Sequence, residues 1–171
     1  MKTVTVIIDS REKKGFELPF RPNLNVSFRR SKRPTLVRVT TKVERMAAGD
    51  YTLKGFEELV NVETKRSALE VAENLLTRDF LRASKAFERF AACAEYPLLV
   101  CEFSIADLYA ENARRQNRLV DALSHEVARH GVSMFFTGPC NGIEARRRTA
   151  DFVLRLMLSR VDMEFPNLVV D

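Results

Sequence analysis

Gly49-Asp50-Tyr51-Thr52-Leu53 and Val60-Asn61-Val62-Glu63-Thr64-Lys65 are the two segments on which the reading of this chain turns. Each is short and rich in β-branched and aromatic residues, with Lys54-Gly55-Phe56-Glu57 between them as a turn. An antiparallel hairpin centred between Phe56 and Glu57 opposes Leu53 to Val60, Tyr51 to Val62 and Asp50 to Glu63. Side chains alternate across a strand. One face therefore carries Tyr51, Leu53, Val60 and Val62, and the other carries Asp50, Thr52, Asn61, Glu63 and Lys65. A slip of one residue would turn the apolar set to solvent, so burial of that set selects the register that opposes the two acids.

Like charges directly opposed on a sheet repel. A divalent cation between Asp50 and Glu63 removes the penalty, and hard carboxylate oxygens suit Mg²⁺ or Mn²⁺. Lys65, two residues beyond Glu63 on the same face, is placed to offset charge on a phosphate in its transition state. An Asp followed by Glu-x-Lys is what a metal-dependent phosphodiester hydrolase needs. The same residues alone also fit a turn at Asp50 and a solvated edge pair of Glu63 with Lys65. Ile8-Asp9-Ser10-Arg11-Glu12 adds acids at the C-terminal end of a buried strand, where α/β sheets build sites. Arg11 among them suits phosphate geometry, although Arg-Glu-Lys-Lys also reads as a solvated loop.

Working outward, Val4–Ile8, Asn25–Arg29, Leu36–Val43, Leu98–Cys101 and Val132–Phe136 read as further strands. Ser67, with Glu70 three residues on, predicts a capping box opening a helix to about Leu76. Phe80, Ala83, Phe87 and Phe90 share one face of a helix from about Asp79 to Ala94. Amphipathic patterning predicts helices over Asn117–His130 and Gly142–Arg160. Strands separated by helices predict an α/β fold, a sheet with helices on both faces. Residues 1–160 are expected to form this unit, with 161–171 a short tail.

Composition narrows the classes. The 171 residues are 46% hydrophobic and 30% charged, which excludes wholesale disorder. The net charge of +5 fits a polyanionic partner. No apolar run is long enough to span a membrane, and the start reads as a strand rather than a signal peptide. Cys93, Cys101 and Cys140 are odd in number and lack CxxC spacing, which points to a reducing intracellular compartment (cytoplasm, nucleoid or nucleus) rather than to secretion. A glycine-rich phosphate loop is missing, so no nucleotide cofactor is expected. His125 and His130, five apart, do not support a histidine-based nuclease.

Ile7-Ile8-Asp9-Ser10-Arg11-Glu12, Ala48-Gly49-Asp50-Tyr51 and Val62-Glu63-Thr64-Lys65-Arg66-Ser67 resemble, in order and spacing, the nuclease domain of XPF-type structure-specific endonucleases of the PD-(D/E)xK superfamily. The resemblance continues through Arg78-Asp79-Phe80 and Tyr96-Pro97-Leu98-Leu99-Val100-Cys101-Glu102-Phe103, and covers roughly Val4 to Leu158. It implies a restriction-endonuclease-like α/β domain with a central mixed sheet. It also implies Mg²⁺- or Mn²⁺-dependent DNA cleavage near branches, flaps, forks or nicks. On this reading Asp9, Glu12, Asp50 and Glu63 supply or support metal ligation, Lys65 is the motif lysine, and Arg11 lies near the scissile phosphate. Branched or nicked duplex DNA is the implied partner, with a homodimer or heterodimer formed through the C-terminal helices. Val153, Leu156, Met157 and Arg160 fit that surface or, equally, this domain's own core.

Two positions depart from the family motif, in which Glu-Arg-Lys is followed by three residues and an Asp. Thr64 takes the middle place and Leu69 the last. Arg66 is the candidate for the missing positive charge, and Asp79 or Glu70 for the missing acid, with Glu70 expected to face elsewhere on its helix. These departures keep open a second reading, a degenerate DNA-binding or scaffold subunit. A third is a restriction-type nuclease acting on plain duplex. Candidate backbone contacts are Arg11, Arg66, Arg78, Arg82 and Lys85, together with Arg30, Lys32 and Arg33 in a basic turn between strands. Arg114–Arg118 forms a second basic loop, and Arg146-Arg147-Arg148 reads mainly as a solvated helix face.

Overall fold

In the computed structural model, which describes residues 2–12, 17–28, 33–77 and 80–166, the chain folds around one seven-stranded mixed sheet. The elements in order are β1 (Lys2–Asp9), β2 (Asn23–Val26), β3 (Thr35–Glu44), β4 (Tyr51–Leu53), β5 (Val60–Lys65), α1 (Ala68–Leu75), α2 (Phe80–Ala92), β6 (Tyr96–Cys101), α3 (Ile105–Arg114), α4 (Leu119–His130), β7 (Ser133–Phe136) and α5 (Ile143–Glu164). The strand order is β2-β3-β1-β4-β5-β6-β7. β1 runs parallel to β3 and antiparallel to β4, while β5, β6 and β7 run parallel to one another.

The hairpin register is the one the apolar pattern selects. Tyr51 pairs with Val62 and Thr52 with Asn61. Tyr51, Leu53, Val60 and Val62 are buried with Val6, Ile8, Leu98 and Val100 against α5, whose Ala150, Val153, Leu154, Met157 and Leu158 complete that layer. Leu99 and Cys101, pointing the other way, pack beneath α1, α2, α3 and α4 through residues such as Val71, Phe90, Leu108 and Leu123. Helices thus cover both faces, as the alternation of strand and helix patterns implies.

Several boundaries differ from the sequence expectation. β2 ends at Val26, and Arg29 through Lys32 lie outside the described residues. β6 begins at Tyr96 rather than Leu98, and Pro97 is a buried member of it, paired with Asn61. The Tyr96 N–H donates to Leu59, on the β5 side. Alternation turns the Pro97 nitrogen toward β7, which joins only at Leu98, so the missing N–H breaks no ladder bond there. α5 continues beyond Arg160 to Glu164, with Val161 buried. Its Val153 and Met157 belong to this domain's own core, and the Arg160 guanidinium lies 4.2 Å over the Tyr96 ring. No helix among the described residues is long and apolar enough to cross a membrane.

Tyr51 fixes the hairpin to its surroundings. It is fully buried, its ring meets Phe20 edge-on at 5.6 Å, and its hydroxyl accepts from the Leu18 N–H at 2.9 Å. Tyr51→Phe keeps the ring but leaves a buried N–H unpaired. The expected loss is about 1–3 kcal/mol, read as a lower urea midpoint at unchanged slope; an unchanged midpoint would show that the hydroxyl contributes nothing.

Candidate active site

The site grows from three strand ends. Asp9 closes β1, Asp50 immediately precedes β4, and Glu63 with Lys65 ends β5. Backbone bonds tie them together, since Asp9 N–H donates to the Asp50 carbonyl at 2.9 Å and Asp50 N–H to the Val62 carbonyl at 2.7 Å. Gly49 makes the turn into Asp50 possible. Its φ is +78°, and a Cβ there would lie 1.9 Å from the Asn61 Oδ1. Buried Asn61 in turn donates to the Ala48 carbonyl at 2.9 Å, clamping the turn from the neighbouring strand. Only a residue without a side chain permits both the positive φ and the close approach.

Asp50 faces two opposing influences. The Thr64 N–H and hydroxyl both donate to its Oδ2 at 2.7 Å. Burial, followed by the negative charge of Glu63, outweighs those bonds and pushes its pKa up to about 7. Glu63 itself accepts from Lys65 Nζ at 2.7 Å, and the Glu70 Oε1 lies 3.4 Å from the same ammonium. Burial of Lys65 opposes its charge, but Glu63, Glu70 and Asp50 outweigh burial and hold it protonated. The solvated edge pair is therefore not what the structure contains. Glu63 and Lys65 are mostly covered, with side-chain exposures of 25% and 16%.

Around this pair the remaining charges alternate in sign. Arg11 Nε donates to Asp9 Oδ2 at 2.7 Å, and its Nη2 to the Met46 carbonyl at 2.9 Å. Burial works against the Asp9 charge, but Arg11 and the N–H groups of Arg11 and Met46 outweigh it and keep Asp9 below its ordinary value. Arg66 pairs with Glu12. Burial and the nearby Asp50 nevertheless raise Glu12 above its ordinary value. Five carboxylates (Asp9, Glu12, Asp50, Glu63 and Glu70) thus share three cations (Arg11, Lys65 and Arg66), leaving a surplus of negative charge when all are ionised.

Asp9, Arg11, Asp50, Glu63 and Lys65 line one cleft of about 330 Å³. Its opposite wall is made by α1 and α2, including Asn74, Phe87 and Arg89. The fold resembles that of XPF from Aeropyrum pernix. One structure of that protein superposes with a TM-score of 0.57 at 17% identity, covering 92% of this chain and 61% of that one. A second, of that protein in complex with DNA, gives 0.57 at 18% identity, covering 96% and 67%. The chain therefore spans about three fifths of the first of these. No protein-family model matches the sequence, and no curated protein does.

The sequence-derived candidates divide into groups. Asp9, Arg11, Asp50, Glu63 and Lys65 meet in the cleft, while Glu12 and Arg66 form a pair beside it. The four acids do not gather as a ligand cluster; among the described residues no three metal-ligating side chains do. Glu70 departs from expectation. Its Oε2 accepts from the Arg66 N–H at 2.9 Å instead of completing a capping box on Ser67, and its Oε1 turns to Lys65. The sequence pattern assigned that carboxylate to the helix cap, yet the neighbouring cation attracts it. Leu69 is exposed. Arg82 and Lys85 lie exposed on α2 without lining the cleft, whereas Arg89 on the same helix does line it. Arg33 is exposed, and Arg30, Lys32, Arg78 and Asp79 lie outside the described residues. Arg146 is not a solvated member of its run, because it donates to the Glu17 carbonyl at 3.0 Å and approaches Glu102. Phe87 and Arg89 were missed as site residues, although the i, i+3, i+7 stripe already placed Phe87 on the inward face of its helix.

The raised Asp50 pKa has a defined consequence. The folded chain holds this proton more tightly than the unfolded chain, whose value is near 3.8. The stabilising contribution is complete below pH 4 and is lost as pH rises through about 7. Without divalent cations, wild type should therefore lose thermal stability relative to Asp50→Asn as pH rises across that interval. A constant difference in melting temperature would show that Asp50 titrates normally.

Proposed function

We propose that this chain is a metal-dependent, structure-selective DNA endonuclease, cleaving phosphodiester bonds near branches, flaps, forks or nicks. The observation that carries the reading is the pairing of a half-buried, electrostatically unfavourable Asp50–Glu63 couple with a protonated Lys65 in one cleft. The resemblance to XPF adds a scaffold on which such a site fits.

The donor set is compatible with Mg²⁺ or Mn²⁺. Asp50 and Glu63 are hard oxygen donors, and the raised Asp50 pKa marks a point where positive charge is lacking. Two carboxylates suffice for Mg²⁺, which keeps waters and shares substrate phosphate. Asp9 and Glu12, already engaged by Arg11 and Arg66, act as supports on this reading. When bound, the ion supplies a water of lowered pKa and Lewis-acid stabilisation of the phosphate.

The chain's own residues do the rest. Thr64 orients Asp50 through two bonds to one oxygen, so the departure from the family's motif has a structural use. Lys65 stays charged at neutral pH and is positioned by Glu63 and Glu70 to stabilise charge growing on the phosphate. Arg11, oriented by Asp9 and the Met46 carbonyl, provides a planar guanidinium at the cleft for a phosphate oxygen. Among the described residues no base-reading arrangement accompanies these groups, which favours structure over sequence as the basis of selection.

The test is cleavage of labelled linear, nicked, flap, fork and four-way-junction DNAs with Mg²⁺, Mn²⁺ or EDTA. Metal-dependent cutting near the branch is expected. Asp50→Ala and Lys65→Ala should each lower it on the order of 10²–10³-fold while DNA binding, read by anisotropy, stays within a few-fold. Cutting that survives in both variants overturns the assignment of the site. Tight binding without cutting under either metal supports a degenerate subunit, and equal cutting of linear duplex supports the restriction-type reading.

A further inference from the structure

The cleft is larger than phosphate chemistry requires. Its charged end holds Asp50, Glu63 and Lys65, but it continues inward between the sheet and the helical layer. There it is lined by Val71 and Leu75 of α1, Ala83, Phe87 and Phe90 of α2, and Leu99 of β6. Leu99 is fully buried and Phe90 almost so, while Phe87 is half-buried. Phe87 and Phe90 meet edge to face, with centroids 6.5 Å apart and ring planes at 88°. One ring supports the other, and Phe87, only half-buried, lines the cleft. A volume near 330 Å³ is within the range of small-ligand sites.

Resting on the proposed nuclease reading, we infer that this apolar recess receives one nucleobase, unstacked from the DNA next to the phosphate held at Asp50, Glu63 and Lys65. The occupant has to suit both ends of one continuous cleft. It must carry an anion for Lys65, Arg11 and the cation that Asp50 and Glu63 would hold, and a flat apolar body for Phe87 and Leu75. A nucleotide joins those two chemistries through a single sugar. Arg89 at the rim adds a cation for the adjoining backbone.

A stacked duplex cannot fill such a site, because its phosphates face outward while its bases face one another. A phosphate from intact duplex would reach the charged end and leave the recess empty. A base that has left the stack is available at a flap, a fork or a nick at low cost, and the cost of extruding one from continuous duplex acts as a filter. Aromatic stacking is tolerant of base identity, since every base has a π-face. The recess thus gives a physical basis for selecting DNA structure without reading sequence.

The chain contains no tryptophan, so one introduced indole reports on its surroundings alone. We would titrate the Phe87→Trp variant, with Ca²⁺ supplied to offset the carboxylates, using oligothymidylate and an abasic oligomer of equal length and charge. Anisotropy of labelled strands would measure binding in parallel, and a Phe152→Trp variant, on α5 away from the cleft, serves as control. The expected result is saturable quenching by oligothymidylate in Phe87→Trp alone, and none by the abasic strand. In an otherwise unaltered chain, oligothymidylate should bind roughly tenfold more tightly than the abasic strand, and Phe87→Leu should abolish most of that difference. If both strands bind equally and neither quenches, the recess takes no base and the inference falls while the nuclease reading stands. If neither strand nor branched DNA binds, the nuclease reading itself fails. The wild-type comparison of the two strands needs no variant, so a poorly folded substitution does not protect the inference.

Discussion

Two carboxylates that repel each other, Asp50 and Glu63, are held close by a hairpin whose register is set on its opposite face. Tyr51, Leu53, Val60 and Val62 are buried beneath α5, and no shift of one residue keeps them there. The apolar burial of four side chains exceeds what one like-charge contact costs, so folding imposes the contact. The nearby charges are then arranged around it. Lys65 neutralises Glu63, Thr64 donates twice to Asp50, and Glu70 abandons the helix cap for Lys65. What the protein groups leave uncompensated is visible in Asp50, whose pKa stays high despite two hydrogen bonds. That residual deficit of positive charge is where a divalent cation would contribute most.

The same hairpin explains why Gly49 and Asn61 occupy their positions. Asn61 is on the polar face with Asp50 and Glu63, yet it is buried, because the Ala48–Gly49 turn closes over it. A buried amide must find partners. Its N–H reaches the Ala48 carbonyl, and its bulk fills the space a side chain at Gly49 would need. Turn, strand and site are therefore one unit, and a change at Asn61 is felt at Asp50.

Period-2 alternation was enough to read the hairpin, its register and the meeting of Asp50 with Glu63, because those contacts are local in sequence. Ser67 was legible as a helix cap for the same reason. Contacts that depend on distant segments were not. The antiparallel pairing of β1 with β4, which places Asp9 beside Asp50 at the cleft, leaves no mark on either strand alone. β6's start at Tyr96 was not legible from the pattern, because a proline's missing N–H matters only on a paired side, and β7's reach along β6 decides which side is paired. Glu70 reads locally as a partner for the Ser67 N–H, whereas one of its oxygens accepts from the Arg66 N–H and the other faces the Lys65 ammonium at 3.4 Å. Arg89 resembled any exposed helix cation until the packing of α2 turned it toward the cleft.

The division of the cleft between a sheet wall and a helix wall has a consequence for its mechanics. Asp9, Asp50, Glu63 and Lys65 are carried by strands in the middle of the sheet, where hydrogen bonds on both sides hold each backbone. Catalytic geometry tolerates little displacement, and rigid elements serve it best. Phe87 and Arg89 are instead on α2, which presents a mostly exposed surface and has Phe90 as its only buried side chain among the described residues. A helix anchored by so little apolar area can shift against the sheet at modest cost. On the proposed reading, the wall that positions charge is the firmly held one and the wall that shapes the apolar recess the less anchored one, an arrangement that would suit a substrate whose phosphate is constant and whose local structure varies.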